Sequence, residues 1–142
     1  MTFKLHSQLD ADTSHIGDFP LCRVLLHKDS AVPWIILVPK RANISEFHHL
    51  TFSEQQQFLS ESQVISQLLE QFYHADKINL GALGNMVPQL HYHHIARFRN
   101  DIAWPKPIWG NTPGTPRDEN EQAKWVTDIQ QQLSSYTSFV SA

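Results

Sequence analysis

Apolar and polar positions along the chain fall into six runs with distinct periodicities. Residues 18–26 (DFPLCRVLL) read as an extended run with Pro20 near its start. Residues 33–38 (PWIILV) are a second, stronger strand, rich in β-branched and aromatic residues and closed by Pro39. The segment 28–32 between them has the length of a hairpin loop, so two antiparallel strands are expected at the front of the domain. Thr51 and Glu54 have the spacing of a capping box. After them Phe58, Ser62, Ile65, Leu68, Leu69 and Phe72 recur at threes and fours, which predicts an amphipathic helix over 53–74. Residues 77–83 (KINLGAL) read as a third strand, Gly84-Asn85 as a turn, and residues 89–98 as a fourth strand. Four prolines and two glycines within 104–116 predict an irregular surface loop, and Trp104 and Trp109 predict that it packs. A last helix is expected over 118–134, acidic in its first turn, with Trp125, Val126, Ile129 and Leu133 on one face. Strands, helix, strands, helix describe an α+β domain with an antiparallel sheet, one domain over 1–142.

Composition narrows the functional classes. With 142 residues, 41% of them hydrophobic and 18% charged, the chain can build a core. The net charge of −3, from 11 Lys+Arg against 14 Asp+Glu, argues against binding DNA or RNA by phosphate neutralisation. One cysteine, Cys22, excludes an internal disulfide framework and a multi-cysteine zinc site. No apolar run approaches the roughly 20 residues of a membrane span. The first 15 residues lack an apolar signal core, so a cytoplasmic location is the expectation. Histidine is the unusual residue: there are nine.

The densest histidine segment is VPQLHYHHIARF, 87–98. On a strand, Gln89, His91 and His93 share one face while Leu90, Tyr92 and His94 share the other. Residues two apart sit roughly 6–7 Å from each other, so two imidazoles and an amide can converge on one phosphate-sized group. If the backbone holds one nitrogen of a ring, the other is free to attack phosphorus. Two imidazoles at this spacing with a third ligand are also a zinc-site pattern, but His94 points away and no HExxH or cysteine partner accompanies them. His48 and His49 read as a lead-in to the helix, and His6, His15, His27 and His74 carry no assignment. Asp29, taken alone, reads as a hairpin-loop Asx turn, and Lys40 and Arg41 as a solvated loop end.

This segment resembles the histidine triad of the HIT superfamily, His-φ-His-φ-His-φ-φ with φ apolar. Here it stands as Gln89-Leu90-His91-Tyr92-His93-His94-Ile95, followed by Ala96-Arg97 where many members have Pro-Arg. The likeness extends upstream through PWIILVPKRANISEFHHL (33–50), the long helix and Asn85-Met86-Val87, and covers about residues 5–105. The loop 104–116 and the last helix resemble the extra C-terminal piece of a bacterial subgroup. The resemblance implies a HIT-like fold: an antiparallel sheet of about five strands, a long helix packed on it and an additional C-terminal helix.

It further implies that His91 is a nucleophile forming a covalent nucleotidyl-histidine. His93 contacts the phosphate, Asn85 adds polar contacts to it, and Asp29 holds the ribose hydroxyls. Members act at the α-phosphate of nucleotides, as dinucleoside polyphosphate hydrolases, nucleoside phosphoramidases or nucleotidyl transferases, and a homodimer with a nucleotide or dinucleotide substrate is implied here. Two departures stand out. Gln89 occupies the first triad position, where an amide orients and hydrogen-bonds but cannot carry a proton's charge; a uridylyltransferase branch carries glutamine too, but at the third position. Lys28 stands beside the sugar-contact position, turned to solvent or gripping a polyphosphate. No metal or cofactor is required, although a divalent cation can accompany a polyphosphate substrate. Gln89 also keeps open a different reading, a nucleotide-binding regulatory protein with little turnover.

Overall fold

The computed structural model describes residues 2–142. In chain order the elements are α1 (Ser7–Asp12), β1 (Thr13–Asp18), β2 (Cys22–His27), β3 (Trp34–Pro39), a 3-10 turn (Phe47–His49), α2 (Phe52–Gln71), β4 (Lys77–Gly81), β5 (Tyr92–Arg97), α3 (Glu119–Leu133) and β6 (Val140–Ser141). The strands form one sheet in the order β4-β5-β3-β2-β1-β6, each neighbouring pair antiparallel. The α+β architecture and both long helices are as expected, with six strands where about five were implied.

The differences have local causes. The extended run 18–26 is interrupted: Asp18 ends β1, and Phe19 N–H donates to Cys22 O (2.9 Å) across a turn that holds Pro20. Phe19 and Leu21 look like strand residues because both are buried, yet they are buried in a turn. β1 itself, TSHIGD from Thr13 to Asp18, was hidden by its polar composition. α2 stops at Gln71, and His74 adopts a left-handed conformation (φ 59°) that ends the chain's helical path. β5 starts at Tyr92 rather than at Gln89. Pro88 has no N–H to donate, and Leu90 N–H donates to Ile44 O (2.9 Å), so the strand's lead-in is held by the loop after β3.

Each face of the sheet is covered. On one side α2 and α3 bring Phe58, Ile65, Leu69, Ile129 and Leu133 onto Ile16, Val24, Leu26, Ile35, Leu37 and Ala96. The capping box at Thr51 and Glu54 starts α2, and Asp118 caps α3 through Glu121 N–H. Buried Glu61 of α2 accepts from Leu21 N–H (2.9 Å) and Cys22 N–H (2.8 Å), which docks the helix on the β1–β2 turn. On the opposite side Leu9, Ala103 and Ile108, flanked by Phe3, Leu5 and Trp109, cover Leu25, Trp34, Ile36, Val38 and Ile95. The N-terminal segment and the Trp/Pro-rich loop therefore flank the same face. β3 is buried along its whole length, which explains its uninterrupted apolar sequence.

The C-terminal piece is tied to the β2–β3 turn. Arg117 donates to His27 O and Val32 O (2.8 Å each) while its guanidinium lies 4.0 Å over the Trp125 ring. Ser30 N–H donates to Thr115 O (2.9 Å) and Asp29 bridges Pro116. Among the described residues no helix is long and apolar enough to cross a membrane.

Candidate active site

The site lies where β5 begins, on the face shared with the N-terminal segment and the Trp/Pro-rich loop. The His91 and His93 rings stand together, centroids 5.0 Å apart and planes at 70°. Each residue is 7% exposed, so the pair is sheltered but open to one side. A carbonyl oxygen only accepts, so the 2.7 Å contact between His91 Nδ1 and Gln89 O puts a proton on Nδ1. In the neutral ring the lone pair of His91 is then on Nε2.

His93 is held in the opposite tautomer. Trp34 Nε1–H, which only donates, gives its hydrogen to His93 Nδ1 (2.9 Å), so the neutral ring carries its proton on Nε2. The sheet register makes the contact: β3 runs antiparallel to β5 with Trp34 opposite Ile95 and Ile36 opposite His93. His27, on the next strand, stacks on the Trp34 ring at 4.0 Å and 10°. Its Nδ1 accepts from Asp29 N–H (3.0 Å). Trp109 meets the His93 ring edge-on at 5.3 Å. Burial lowers the His93 pKa to about 3, and the neighbouring His91, His27 and His94 push the same way, so His93 is neutral at pH 7. Burial also lowers His27.

The remaining sequence candidates are placed as follows. His94 faces α2, where Ser62 Oγ lies 2.7 Å from Nε2 and burial lowers the pKa to about 4. Gln89 lies before the strand rather than on it, and its side chain reaches the N-terminal segment: Oε1 accepts from His6 N–H (2.8 Å) and Nε2 donates to Lys4 O (2.9 Å). Lys28 Nζ donates to Ala11 O (2.9 Å), at the end of α1. Asp29 is buried in the β2–β3 turn, where Oδ1 accepts from Ala31 N–H (2.8 Å) and Oδ2 from Thr112 Oγ (2.6 Å). Asn85 is exposed in the bend after Gly84, whose φ of 73° favours glycine. Gly84, Ser45 and Gln89 line a small cavity beside His91. Among the described residues, no group of three His, Cys, Asp or Glu side chains is placed to hold a metal ion.

Sequence reasoning missed Trp34 and His27 as members of the site. Trp34 reads as an ordinary apolar strand residue, because its role depends on cross-strand register. His27 had one usable signal, its position two residues before Asp29.

The sequence profile of the HIT domain matches residues 8–100. The chain belongs to the HIT family. Three bacterial histidine triad proteins of known structure match it over nearly their whole length. The protein from Marinobacter aquaeolei VT8 is 44% identical, with a TM-score of 0.91 over 95% of this chain and 98% of the other. The one from Bradyrhizobium japonicum is 40% identical (TM-score 0.89, covering 93% and 98%). That from Sinorhizobium meliloti 1021 is also 40% identical (TM-score 0.88, 92% and 97%). No curated protein matches the chain. The matches extend beyond residue 100, so the Trp/Pro-rich loop and α3 belong to the shared structure of these HIT proteins.

Proposed function

We propose that this HIT protein cleaves or transfers a nucleotidyl group at the α-phosphate of a nucleotide, through a covalent intermediate on His91. The observation that carries the reading is the Nδ1 contact to Gln89 O, which in the neutral ring puts the lone pair of His91 on Nε2, with the His93 ring beside it. His91 Nε2 attacks the α-phosphorus and forms a P–N bond. The bond to the leaving phosphate or amine breaks, and its electron pair departs with that group. Water then attacks phosphorus, the P–N bond breaks, and the nucleotide leaves; in a transferase, an acceptor phosphate replaces the water. Positive charge on the substituted imidazole is stabilised by the Nδ1–H bond to the Gln89 carbonyl, which strengthens as the charge develops. His93 Nε2–H donates to a phosphoryl oxygen without needing to ionise.

Asp29 is the candidate for the ribose. Each carboxylate oxygen already accepts one bond, but a carboxylate has about four acceptor sites, so capacity for hydroxyls remains. Asn85 is the candidate for polar contact with the phosphate. Lys28 is engaged with α1, which favours a supporting part over a direct grip on substrate. The functional unit is a homodimer, a reading supported by the family likeness and by the open edge at β4, where Leu80 is half exposed. A divalent cation enters with a polyphosphate substrate.

The test is an acid-free denaturing quench of the protein with a nucleotide-labelled dinucleoside polyphosphate or nucleoside phosphoramidate. Label on the protein supports the reading; tight binding with neither label nor product under any condition overturns it in favour of a binding protein. A second expectation concerns Trp34. Trp34→Phe keeps an aromatic ring against His27 but removes the N–H, so His93 is released to sample both tautomers. Turnover should fall roughly five- to tenfold, the worth of one buried hydrogen bond. Nitrogen NMR of histidine-labelled protein should show His93 as a single Nε2–H form before the change and a mixture after it. A single Nε2–H form in both proteins would remove Trp34 from the account.

A further inference from the structure

Asp29 is gripped by a part of the chain far from its own turn. Ser30 N–H (2.9 Å) and Ser30 Oγ (2.7 Å) both donate to Thr115 O, and Arg117 N–H donates to Lys28 O (2.8 Å). These bonds flank the bridge between Asp29 and Pro116, so the segment before α3 runs antiparallel beside the β2–β3 turn. It lies beyond residue 100, where the match to the HIT profile ends. From this segment Thr112 Oγ donates to Asp29 Oδ2 at 2.6 Å. Two contacts fix the direction of that bond. A carboxylate oxygen only accepts, and Thr112 Oγ itself accepts from Gly114 N–H (3.1 Å), so its one hydrogen goes to Asp29.

The last torsion of an aspartate side chain is broad, so one hydrogen bond does not fix the plane of its carboxylate. The Ala31 N–H bond to Oδ1 (2.8 Å) holds one oxygen. The Thr112 bond holds the other, and with it the plane. Ribose offers two adjacent hydroxyls, which a carboxylate accepts on one oxygen each only when its plane matches theirs. A single hydroxyl is accepted over a wide range of angles. A fixed plane therefore favours a diol over a lone hydroxyl. The loop that carries Thr112 is itself braced: Asn111 N–H donates to Ile108 O (3.1 Å) and Asn111 Nδ2 to Pro107 O (2.8 Å). Trp109 of the same loop meets His93 edge-on at 5.3 Å. One loop thus touches both the imidazole end and the Asp29 end of the site.

We propose that Thr112 is a positioning residue for sugar recognition: its hydroxyl locks the Asp29 carboxylate in the plane that accepts both ribose hydroxyls together, and so selects ribonucleotides over 2′-deoxyribonucleotides. The proposal rests on the reading of Asp29 as the ribose contact, and it places a determinant of specificity in the C-terminal piece. Thr112 acts through Asp29 and does not itself touch the substrate. Serine carries the same donor and can take its place; valine has nearly the same shape as threonine but no hydrogen to give.

The experiment measures, by calorimetry, binding of adenosine and guanosine monophosphates and their 2′-deoxy forms to the wild type, Thr112→Val, Thr112→Ser and Asp29→Asn. The wild type is expected to hold a ribonucleotide roughly tenfold more tightly than its deoxy form, the worth of one hydrogen bond to a charged acceptor. Thr112→Val should weaken the ribonucleotides roughly five- to tenfold and the deoxy forms less than about twofold, which narrows the ratio. Thr112→Ser should restore it. The Ser30 and Arg117 bonds keep the segment attached in Thr112→Val, and thermal melting checks that the fold is retained. Equal weakening of both sugars in Thr112→Val, or an unchanged ratio, overturns the proposal and leaves Thr112 as a tie for its loop. Failure of the Asp29 reading looks different: the ratio then stays the same in Asp29→Asn as well. A wild type that holds both sugars equally, or binds none of the four nucleotides, overturns both.

Discussion

Replacing His91 with alanine is expected to lower turnover of a nucleotide substrate by about 10⁴-fold or more and to abolish covalent labelling, with the fold intact. Loss of a covalent nucleophile removes the step that divides the reaction, and the remaining groups cannot orient water to the same geometry; losses of roughly 10⁴ to 10⁶ are usual for such residues. The structural cost is small by comparison. His91 makes one hydrogen bond through its ring, to Gln89 O, and it precedes β5 rather than lying within it. Truncating it should cost about 1–2 kcal/mol, which circular dichroism and thermal melting will register as a modest shift. His93→Ala gives the contrast. It removes a donor rather than the nucleophile, so roughly a 10²-fold loss is expected with labelling retained. Labelling that persists in His91→Ala would move the nucleophile elsewhere and refute the assignment.

The largest effect on stability is expected at Asp101. Its carboxylate accepts from Arg97 Nε (2.9 Å) and Nη2 (3.1 Å), and from the N–H groups of Phe98 (3.0 Å), Ala103 (3.1 Å) and Trp104 (2.8 Å). The Arg97 and Asp101 side chains are 2% and 3% exposed. Arg97 has one further partner, Asn79 Oδ1 (2.8 Å). Asp101→Ala leaves a buried guanidinium uncompensated and frees the turn that launches the Trp/Pro-rich loop, at a cost of about 3–5 kcal/mol. Urea denaturation measures it directly, and a loss under about 1 kcal/mol would contradict the geometry.

The same residue sets an acid dependence. Burial of Asp101 acts to raise its pKa, but the Arg97 hydrogen bonds, the backbone N–H groups and the Arg97 charge outweigh it, so the carboxyl falls from 3.8 to about 2. A folded-state pKa below the unfolded one means that stability is fully present above about pH 4 and is lost as the pH falls towards 2. The difference amounts to about 2 kcal/mol. Asp101→Ala should therefore flatten the stability profile between pH 4 and pH 2 as well as lower it. The functional consequence is local, because Ala103, Ile108 and Trp109 follow from this turn and Trp109 packs against His93.

Particular residues show how far the chain could be read. α2 was legible because its capping box and its apolar stripe are both local, and Phe58, Ser62, Ile65, Leu68 and Leu69 are buried as their spacing requires. α3 was legible for the same reason, from the Asp118 cap to Leu133. The break between β1 and β2 was not, since Phe19 and Leu21 are as apolar as strand residues and only Pro20 marks the turn. Alternation along 89–98 correctly brings His91 and His93 together and sends His94 to the other side. It fails for Gln89, whose backbone has left the strand and whose amide reaches the chain's first residues.

What the sequence determined by itself is therefore the set of elements with local periodicity, the α+β class, the HIT signature and the pairing of two imidazoles. All of these follow from spacings of two, three or four residues, which a helix or strand converts directly into a shared face. Only the tertiary structure decided which nitrogen of each ring carries the proton, because that depends on Trp34 arriving from β3 and on the carbonyl of a residue outside the strand. It also decided that Gln89 holds the N-terminal segment and that Asp29 is clasped by Thr112. Those contacts join residues 83 to 85 positions apart, and at that separation the register of the sheet, rather than any local pattern, determines which polar groups meet.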